Sequence, residues 1–532
     1  MGTRLRVGLL LAAVCMALAS CSPANHEGTG SKLVYGLTLA PSGLDPHIDV
    51  SSELGIPLNS VYDTLVFRSH SGEYVPMLAE TWSISDDGLR YEFRLRQGIR
   101  FHDGTPFDAT AVKRTLDRIA DPESGSRRAV TLLGPYVSSS VRDEHTLVVE
   151  LSQPFAPLLD SFSQVYLAPA SPAALDKWGA EYQFHQVGTG PFKLSEYLPK
   201  DHVTLVRYDE YVRIPGTYER DVLPEVTEVE FRFLVEPAVR LPALESGDAD
   251  VVGEIPPQDA SRIEQDDEIE LVPVAIPGLP LVGFLNTQAA PTDDIRVRQA
   301  LLLATDRAQI VQTVFGGYSP VATGALSRNH ADYAPTAGHS APSADIAGAA
   351  ALLDEAGWRL GNNGMRSREG TPLRLRAYVM GWGMVPEVGQ LLQAQWKGLG
   401  VELQMEEVTF AAALAAVAAN EHNLIFWSEP GTDADLITSF FHSGRLGQRN
   451  WSRAASPDLD AALDAAREAS DRGARRELYA RAQHLIMDQA LIIPIRDYVN
   501  LNGVRACVGE LAFDSRGWFP NLNDLDLTSS CR

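Results

Sequence analysis

A histidine and an aspartate stand side by side in the segment FHDGTPF, residues 101–107, where a glycine and a proline mark a turn. His102 and Asp103 are residue types that acid–base catalysis and metal binding use. The same pair also suits a turn in which both side chains hydrogen-bond to backbone groups. The neighbouring elements favour the turn, because RYEFRLR (90–96) alternates like a strand with one wet face and Asp108 is a good N-cap for a helix. We therefore expect His102 and Asp103 to bond backbone groups within this turn.

Other signatures of covalent chemistry do not occur in the sequence. No lysine precedes Ser or Thr as in a phosphate-binding loop, none follows a serine by three positions, and the 12 histidines form no H-E-x-x-H zinc motif. GTGPF (188–192) and GLGVEL (398–403) lack the third glycine of a dinucleotide fingerprint and are predicted to be connectors. We expect no catalytic residue, no cofactor and no metal site, so the chain is predicted not to be an enzyme.

The N-terminus has the pattern of an exported lipoprotein. Arg4 and Arg6 precede the apolar run at 7–19, which is too short for a spanning helix of about 20 residues. LASC, ending at Cys21, resembles a lipobox, so residues 1–20 are predicted to be a signal peptide and Cys21 the lipidated residue. Residues 21–31 then form the lipidated end and a flexible tether. Ordinary signal cleavage, with Cys21 as a bystander, is the alternative. We expect a lipid-anchored protein on the extracytoplasmic face of the cell membrane.

Charge and cysteine content limit the partners. At a formal net charge of −24 the chain gains nothing from phosphate backbones, so we expect no nucleic-acid partner and no membrane contact beyond the anchor. Of the four cysteines, Cys15 leaves with the signal peptide and Cys21 takes the lipid. Cys507 and Cys531 remain as the single possible disulfide outside the cytosol. Whether they come within bonding geometry is not visible in the sequence.

Strands and helices alternate through the rest of the chain, which is too long for one compact core and is expected to form two or three domains. The predicted strands lie at 90–96, 145–151, 192–208 (a hairpin), 226–234, 373–381 and 423–427. The predicted helices begin after Asp108 and cover 293–315, 344–358, 387–400, 411–420, 457–470 and 474–489.

The stretch from residue 62 to 119 resembles the family-5 extracellular solute-binding proteins of ABC importers, the dipeptide-, oligopeptide- and nickel-binding group. The shared features are the Y-x-x-L strand at 62–65, P-x-L-A-E-x-W at 76–82 and the long D-G-x-x-Y motif from 87 to 107. Further agreement follows in the same order along nearly the whole mature chain, at 44–46, 188–192, 245–250, 296–307, 352–358 and 492–500.

The resemblance implies an α/β fold, a two-lobed periplasmic-binding-protein-like clamshell (type II, large three-domain variant) with mixed sheets flanked by helices. Lobe one is expected to comprise 32–75, 190–275 and 498–532, with an extra domain inserted at 76–189, and lobe two 276–497. Two crossing strands would act as a hinge, and a membrane permease would recognise the closed, ligand-bound form. The expected partners are a peptide or other small solute and the transmembrane subunits of an ABC permease, and the protein is expected to be a monomer.

The same layout implies which residues touch the ligand. On lobe one they are Leu39, Ala40, Pro41 and Glu254; on lobe two they are Trp382, Trp427, Ser428 and Glu429; Tyr498 lies in the hinge. Both tryptophans follow predicted buried strands, so core packing is the alternative for each.

One position departs from the family pattern. Peptide-binding members carry an aspartate after the tryptophan-bearing strand that pairs with the ligand's ammonium group, whereas this chain has Glu429 one position early, followed by Pro430. Asp433 and Asp435 resemble the structural acid pair that follows. We expect a receptor for a short peptide or peptide-like solute. A metal chelate, haem, an opine or a sugar is the alternative ligand, and a transport-inactive envelope regulator of the same fold is the alternative role.

Overall fold

The computed structural model describes residues 31–49, 51, 53–217, 222–336, 343–528 and 531 of the chain. The predicted signal peptide, Cys21 and the tether up to residue 30 lie outside these residues. By length and hydropathy, no candidate for a bilayer-crossing segment occurs among the described helices.

A mixed sheet of seven strands forms around Ser31–Leu37, whose apolar side chains are buried except for the half-buried Val34. This strand pairs in parallel with Val226–Phe233 on one side and Val251–Val252 on the other, and the outer pairs are antiparallel. A central strand buried on both faces explains its nearly continuous apolar sequence. In spatial order the strands are Ile269–Ala275, Val499–Arg505, Val251–Val252, Ser31–Leu37, Val226–Phe233, His202–Arg207 and Phe192–Leu198.

A second mixed sheet has five strands, and its strand Gly278–Leu285 is buried at all eight positions. This strand pairs antiparallel with both of its neighbours, whereas the far pairs are parallel. In spatial order the strands are Glu402–Glu407, Arg374–Val379, Leu424–Pro430, Gly278–Leu285 and Ile492–Arg496.

A third sheet is antiparallel and has four strands. Its strand Arg90–Leu95 confirms the prediction that one side of this strand faces solvent. Tyr91, Phe93 and Leu95 are buried and alternate with side chains that are exposed or half-buried. In spatial order the strands are Ala79–Ile84, Arg90–Leu95, Thr146–Leu151 and Tyr136–Asp143. Short pairings add Val66–Arg68 with Tyr74–Pro76, Arg359–Leu360 with Arg366–Arg368 and Thr371–Pro372, and Val508–Gly509 with Asp526–Leu527.

Helices cover the faces of these sheets. The described α-helices are Gly55–Leu58, Ala109–Ala120, Arg128–Leu133, Leu158–Ser161, Pro172–Trp178, Arg240–Ser246, Pro257–Ile263, Ile295–Leu303, Arg307–Val314, Ile346–Glu355, Val385–Leu399, Phe410–Ala418, Leu436–Phe441, Pro457–Glu468 and Arg472–Asp488. Short 3₁₀ turns lie at Pro122–Ser124, Val165–Leu167, Gly179–Phe184, Pro237–Val239 and Ser443–Arg445.

The prediction of one continuous helical stretch over 293–315 is wrong. The structure has two helices, Ile295–Leu303 and Arg307–Val314, with a break between them. Asp306 begins the second helix, because its carboxylate accepts the backbone N–H of Gln309 at 2.8 Å. The apolar periodicity continues across the break, which is why the pattern alone did not reveal it. Asp294, one of the two residues expected to start this stretch, does cap the first helix.

The FHDGTPF turn serves to join elements. Asp103 accepts the N–H of Thr105 at 2.9 Å, and Asp108 caps the next helix by accepting the N–H of Ala111 at 2.8 Å, as expected. The expectation that His102 bonds within the turn is wrong, since its Nε2 donates to the carbonyl of Gly190 at 2.9 Å. The imidazole therefore ties the turn to the GTGPF connector.

Three buried clusters stabilise the molecule. One lies between the seven-stranded and four-stranded sheets and includes Tyr35 and Phe93; a smaller one, with Leu244 and Ile263, covers the other face of the seven-stranded sheet. The third surrounds the five-stranded sheet and includes Trp396. Burial of large apolar side chains of this kind is worth about 2 kcal/mol each.

The chain crosses between the two large sheets in two places. One crossing joins strand Ile269–Ala275 to strand Gly278–Leu285, and the other joins Ile492–Arg496 to Val499–Arg505. The crossings are bonded to each other, because the N–H of Ile276 donates to the carbonyl of Tyr498 at 2.9 Å. These paired crossings place Tyr498 between the two sheets.

The C-terminal segment packs against the seven-stranded sheet. Cys507 and Cys531 form a disulfide with 5.2 Å between their Cα atoms, next to the short pairing of Val508–Gly509 with Asp526–Leu527. The loop that the disulfide closes contains Trp518 and the buried Phe519.

Candidate functional site

The first predicted group of ligand contacts follows strand Ser31–Leu37. The Leu39 side chain is 53% exposed, Ala40 is half-buried and Pro41 is buried. Of the three, Leu39 offers an apolar side chain to a ligand at the end of the strand.

Glu254 and Tyr498 are brought together by two neighbouring strands of the seven-stranded sheet. The phenol of Tyr498 donates a hydrogen bond to Oε1 of Glu254. Glu254 has a left-handed backbone, with φ at 48°, and its N–H donates to Oδ1 of Asn500 at 2.8 Å. A non-glycine residue in this region costs about 1–2 kcal/mol, so these bonds hold the side chain in a position that it would not otherwise adopt.

Arg240 lies behind Glu254 and fixes the backbone there. Its guanidinium donates to the carbonyls of Leu234, Val235 and Glu254 at 3.2, 2.9 and 2.8 Å. The guanidinium donors are therefore directed at backbone oxygens, and the Glu254 carboxylate receives its hydrogen bond from Tyr498 instead.

Glu53 is an acid of this site that sequence reasoning missed. It is 3% exposed and follows the first strand, just before helix Gly55–Leu58. Its Oε2 has no hydrogen-bond partner among the described residues. Burial raises the pKa of Glu53 to about 8, and the nearby charge of Glu254 acts in the same direction. Its only sequence signal was one acid ahead of the apolar run LGIPL.

Glu53 and Glu254 line one small depression in the surface of the seven-stranded sheet. The indole N–H of Trp518 faces the Glu53 carboxyl closely enough to oppose the rise in its pKa, although in the described part of the chain neither Nε1 of Trp518 nor Oε2 of Glu53 completes a hydrogen bond. The space is sufficient for one water-sized group. The polar and aromatic residues that line it are Tyr35, Thr38, Glu53, Glu254, Asn500 and Trp518.

The predicted tryptophans form an aromatic wall at the end of the five-stranded sheet. Trp382 and Trp427 meet edge to face, with 5.3 Å between ring centroids, and Phe410 stacks on Trp427 at 5.3 Å. Both tryptophans are half-buried, and Phe410 is 48% exposed. Each tryptophan therefore packs on the core and also reaches the surface.

Glu429 lies at the edge of this wall, next to the half-buried Ser428, and is already paired. Its Oε2 accepts the indole N–H of Trp427 at 2.9 Å and Nη2 of Arg449 at 2.8 Å. Arg449, which sequence reasoning missed, is exposed and lies over the ring of Phe440. The pair leaves this wall with one negative and one positive group.

Asp433 and Asp435 lie in ion pairs beneath the same strand end. Asp433 binds both terminal nitrogens of Arg475, at 2.8 and 2.6 Å, and Asp435 pairs with Arg467 at 3.0 Å. Burial disfavours the charged form, yet the Arg475 charge dominates and lowers the pKa of Asp433 to about 2. This arrangement positions the loop after the strand.

The predicted ligand contacts on the seven-stranded sheet and those on the five-stranded sheet come near each other around Tyr166. No hydrogen bond, ion pair or ring contact between described residues joins Leu39, Ala40, Pro41 or Glu254 directly to Trp382, Trp427 or Glu429. Tyr166 is buried, which raises its pKa; the charges of Glu53 and Glu429 act in the same direction, and those of Arg128 and Arg516 oppose it. Glu53 and Glu429 therefore both lie within electrostatic range of one buried phenol.

Comparison with known sequences identifies relatives of this chain. Residues 73–448 match the family described as bacterial extracellular solute-binding proteins, family 5 Middle. The glutathione-binding protein GsiB of Escherichia coli O1:K1 / APEC is 33% identical over 324 residues, which are 60% of this chain and 60% of that protein. The chain thus matches less than two thirds of the length of these curated relatives.

Solved structures share the fold over nearly the whole chain. NikA from Brucella suis in complex with Fe(III)-EDTA has a TM-score of 0.83 and 25% identity, covering 93% of this chain and 100% of that one. DppA from Helicobacter pylori in complex with the peptide STSA has a TM-score of 0.77 and 21% identity, covering 94% and 98%. These similarities confirm the expected α/β periplasmic-binding-protein fold with mixed sheets flanked by helices. This chain belongs to the bacterial extracellular solute-binding proteins of family 5.

Proposed function

We propose that this chain is the solute receptor of an ABC importer. It is anchored by lipid on Cys21 at the extracytoplasmic face of the cell membrane. It captures a short peptide or peptide-like solute between two lobes and delivers it, as a monomer, to the transmembrane subunits of the permease. It performs no covalent chemistry on the solute.

The observation that carries this proposal is the paired charge beside the aromatic wall. Glu429 and Arg449 sit next to Trp427 and Phe410, so apolar surface and both signs of charge lie together. Ligand sites are mostly apolar and aromatic with a few placed polar groups, and a peptide carries both charges and apolar side chains. Glu429 accepts from Trp427 and from Nη2 of Arg449, whereas no hydrogen bond from Nη1 or Nε of Arg449 is seen in the described part of the chain, so we assign Arg449 to the solute's carboxylate.

The proposed lobes correspond to the two large sheets. Lobe one takes residues 32–75, 190–275 and 498–532 with the insertion at 76–189, and lobe two takes 276–497. The strands of the seven-stranded sheet all fall within the first set of segments, apart from Ser31, and those of the five-stranded sheet within the second, which supports this division. The ligand contacts are Leu39, Ala40, Pro41, Glu254, Trp382, Trp427, Ser428, Glu429 and Tyr498.

A thermal-shift screen of the purified full-length chain tests the proposal, since a ligand that binds only the folded form raises the melting temperature. The peptide arm contains di-, tri- and tetrapeptide pools and glutathione, because GsiB is named as a glutathione-binding protein. We expect a saturable shift in this arm. The absence of a shift with every peptide and with glutathione would refute the peptide assignment.

A metal chelate is the second candidate ligand. The similarity to Brucella suis NikA in complex with Fe(III)-EDTA favours it. The same screen therefore includes Ni²⁺–histidine and Fe(III)-EDTA, with free histidine and free EDTA as controls. A shift with the chelates alone would establish this class and exclude the peptide assignment. Haem, an opine and a sugar are the remaining candidate ligands in the screen.

Lipid anchoring needs a separate measurement. Mass spectrometry of the protein purified from membranes should find diacylglycerol on Cys21, and Cys21→Ser should release the protein from the membrane fraction. An unmodified Cys21 in a membrane-bound protein would contradict the anchor.

A further inference from the structure

The Glu53–Glu254 depression contains two acids and no direct cation partner. Among the described residues, no Lys or Arg nitrogen forms an ion pair with either carboxylate, although Arg240 and Arg496 lie close enough to act on Glu254 electrostatically. Arg240 donates to backbone carbonyls, and Arg496 donates to Ser319 while its guanidinium stacks between Phe315 and Tyr498 at 4.0 and 4.5 Å. Arg240 also acts on Glu53 electrostatically, but within the described residues no hydrogen bond or ion pair joins the two side chains.

Glu53 supplies an independent sign that a ligand group belongs there. Its carboxyl is almost fully buried, lines the depression and leaves Oε2 without a partner in the described chain. A buried polar atom left without a hydrogen bond costs about 1–3 kcal/mol, so a protein retains it where something else completes it. A cationic donor placed in the depression would bond Oε2 and would also favour the ionised form of Glu53, whose pKa burial otherwise raises to about 8.

The residues that line the depression and its size indicate which hydrogen-bond donor would fit there. Tyr35 and Trp518 line the depression, and Tyr498 donates a hydrogen bond to Glu254 beside it. Aromatic faces and carboxylates both attract cations. The space suits one water-sized group, which matches the head of a primary ammonium and is too small for a planar guanidinium.

We propose that the Glu53–Glu254 depression binds a primary ammonium group of the solute. The inference deepens the proposed function by naming the solute class, an amine-bearing peptide or peptide-like molecule, and it rests on that function for the remainder of the ligand. It places the ammonium on the seven-stranded sheet, across from Arg449, instead of at Glu429. The ammonium could be the N-terminus or a lysine side chain, and the test separates the two.

Peptide pairs that differ only in the amine give the first test. Calorimetric affinities are compared for Ala-Ala-Ala and N-acetyl-Ala-Ala-Ala, and for Ala-Lys-Ala and its norleucine analogue. A charged hydrogen bond lost from a buried site predicts a loss of about tenfold or more in one of the pairs. The pair that responds identifies the source of the ammonium.

Variants connect the loss to the depression. In Glu53→Gln and Glu254→Gln the ratio between the affinities for the amine and the capped peptide should fall to about threefold or less. Glu144→Gln, at an exposed acid of the four-stranded sheet, is the matched control and should keep the full ratio. Equal binding of amine and capped peptides by the wild type would overturn the inference and leave the proposed function standing.

A probe without any peptide makes the result independent of the proposed function. n-Butylammonium should raise the melting temperature of the wild type but not of Glu53→Gln, and n-butanol should have no such effect. If the amine acts in this way while no peptide binds, the peptide assignment fails and the ammonium site stands. If n-butylammonium acts equally on the wild type and on Glu53→Gln, the ammonium site is wrong.

Discussion

Tyr498 donates its phenolic hydrogen bond to the carboxylate of Glu254, although the two residues are 244 positions apart in the chain. Tyr498 belongs to one of the two crossings between the large sheets, and Glu254 lies two residues after the strand Val251–Val252 of the seven-stranded sheet. The bond therefore connects a crossing between the two large sheets to a residue that is proposed to contact the solute. Its two partners were both predicted as ligand contacts, but their pairing was not.

Tyr498→Phe should weaken solute binding about three- to tenfold and reduce the free energy of unfolding by about 1–2 kcal/mol, because Glu254 loses its charged hydrogen bond. Calorimetry and urea unfolding measure the two effects. Tyr136→Phe, which removes a hydrogen bond to Ser139 in the four-stranded sheet, is the control and should leave affinity unchanged. Unaltered affinity in Tyr498→Phe would show that Glu254 is held without the phenol.

Arg449→Gln should abolish the preference for a solute carboxylate. The wild type is expected to bind a peptide with a free C-terminus about tenfold more tightly than its C-terminal amide, and the variant should bind both alike. The free energy of unfolding should change by less than about 1 kcal/mol, since the side chain is exposed. Arg359→Gln, at another exposed arginine, provides the comparison. A preference that persists in Arg449→Gln would place the carboxylate elsewhere.

Glu53 should make the ligand-free protein less stable as pH rises. Its pKa is about 8 in the folded state against 4.5 for the unfolded chain, so the folded state holds more protons between these values and stability falls through that window. The slope from this group is at most about 1.4 kcal/mol per pH unit. The groups that act on this carboxyl or feel its charge are Glu254, Arg240, Trp518, Tyr35, Tyr166 and Tyr498.

Urea unfolding of the wild type and Glu53→Gln across pH 4 to 9 isolates this contribution. The variant should gain stability over the wild type as pH rises and the difference should level off above about pH 8. Glu144→Gln should run parallel to the wild type. A constant difference between Glu53→Gln and the wild type would mean that Glu53 is already ionised at low pH.

Arg475→Leu should destabilise the protein by about 3–5 kcal/mol, because the buried Asp433 would lose the cation that neutralises it. The double variant with Asp433→Leu should recover much of this loss, since no uncompensated charge remains. Urea unfolding at neutral pH gives both values. Additive losses in the double variant would show that the two side chains act independently.

His102→Ala should leave solute affinity within a factor of two and cost about 1 kcal/mol of stability, from its hydrogen bond to Gly190. Burial lowers the pKa of His102 to about 4, so the side chain is neutral at physiological pH and contributes no charge. Calorimetry with the peptide found in the screen measures the affinity. If the wild type converted a solute chemically and the folded His102→Ala variant did not, His102 would have a catalytic role.

Much of the fold could be predicted because local patterns carry it. The alternation of Tyr91, Phe93 and Leu95 and the capping carboxylate of Asp108 are signals within a few residues, and both were predicted correctly. The break before Arg307 was missed, since the apolar stripe continues through it. The proposed ligand contacts were inferred from the family resemblance. Glu53, Trp518 and Arg449 were missed, because their roles come from distant neighbours that no local pattern records.

The disulfide also determines when the protein reaches its full stability. Disulfides form mainly outside the cytosol, so a chain still in the cytosol would carry Cys507 and Cys531 as thiols. Buried side chains such as Phe519 and Leu522 can hold the tail in place meanwhile, but the loop closure, worth about 3 kcal/mol, is absent. Trp518 lies within this loop, so the side of the Glu53–Glu254 depression that it lines gains its covalent closure only when the two thiols are oxidised.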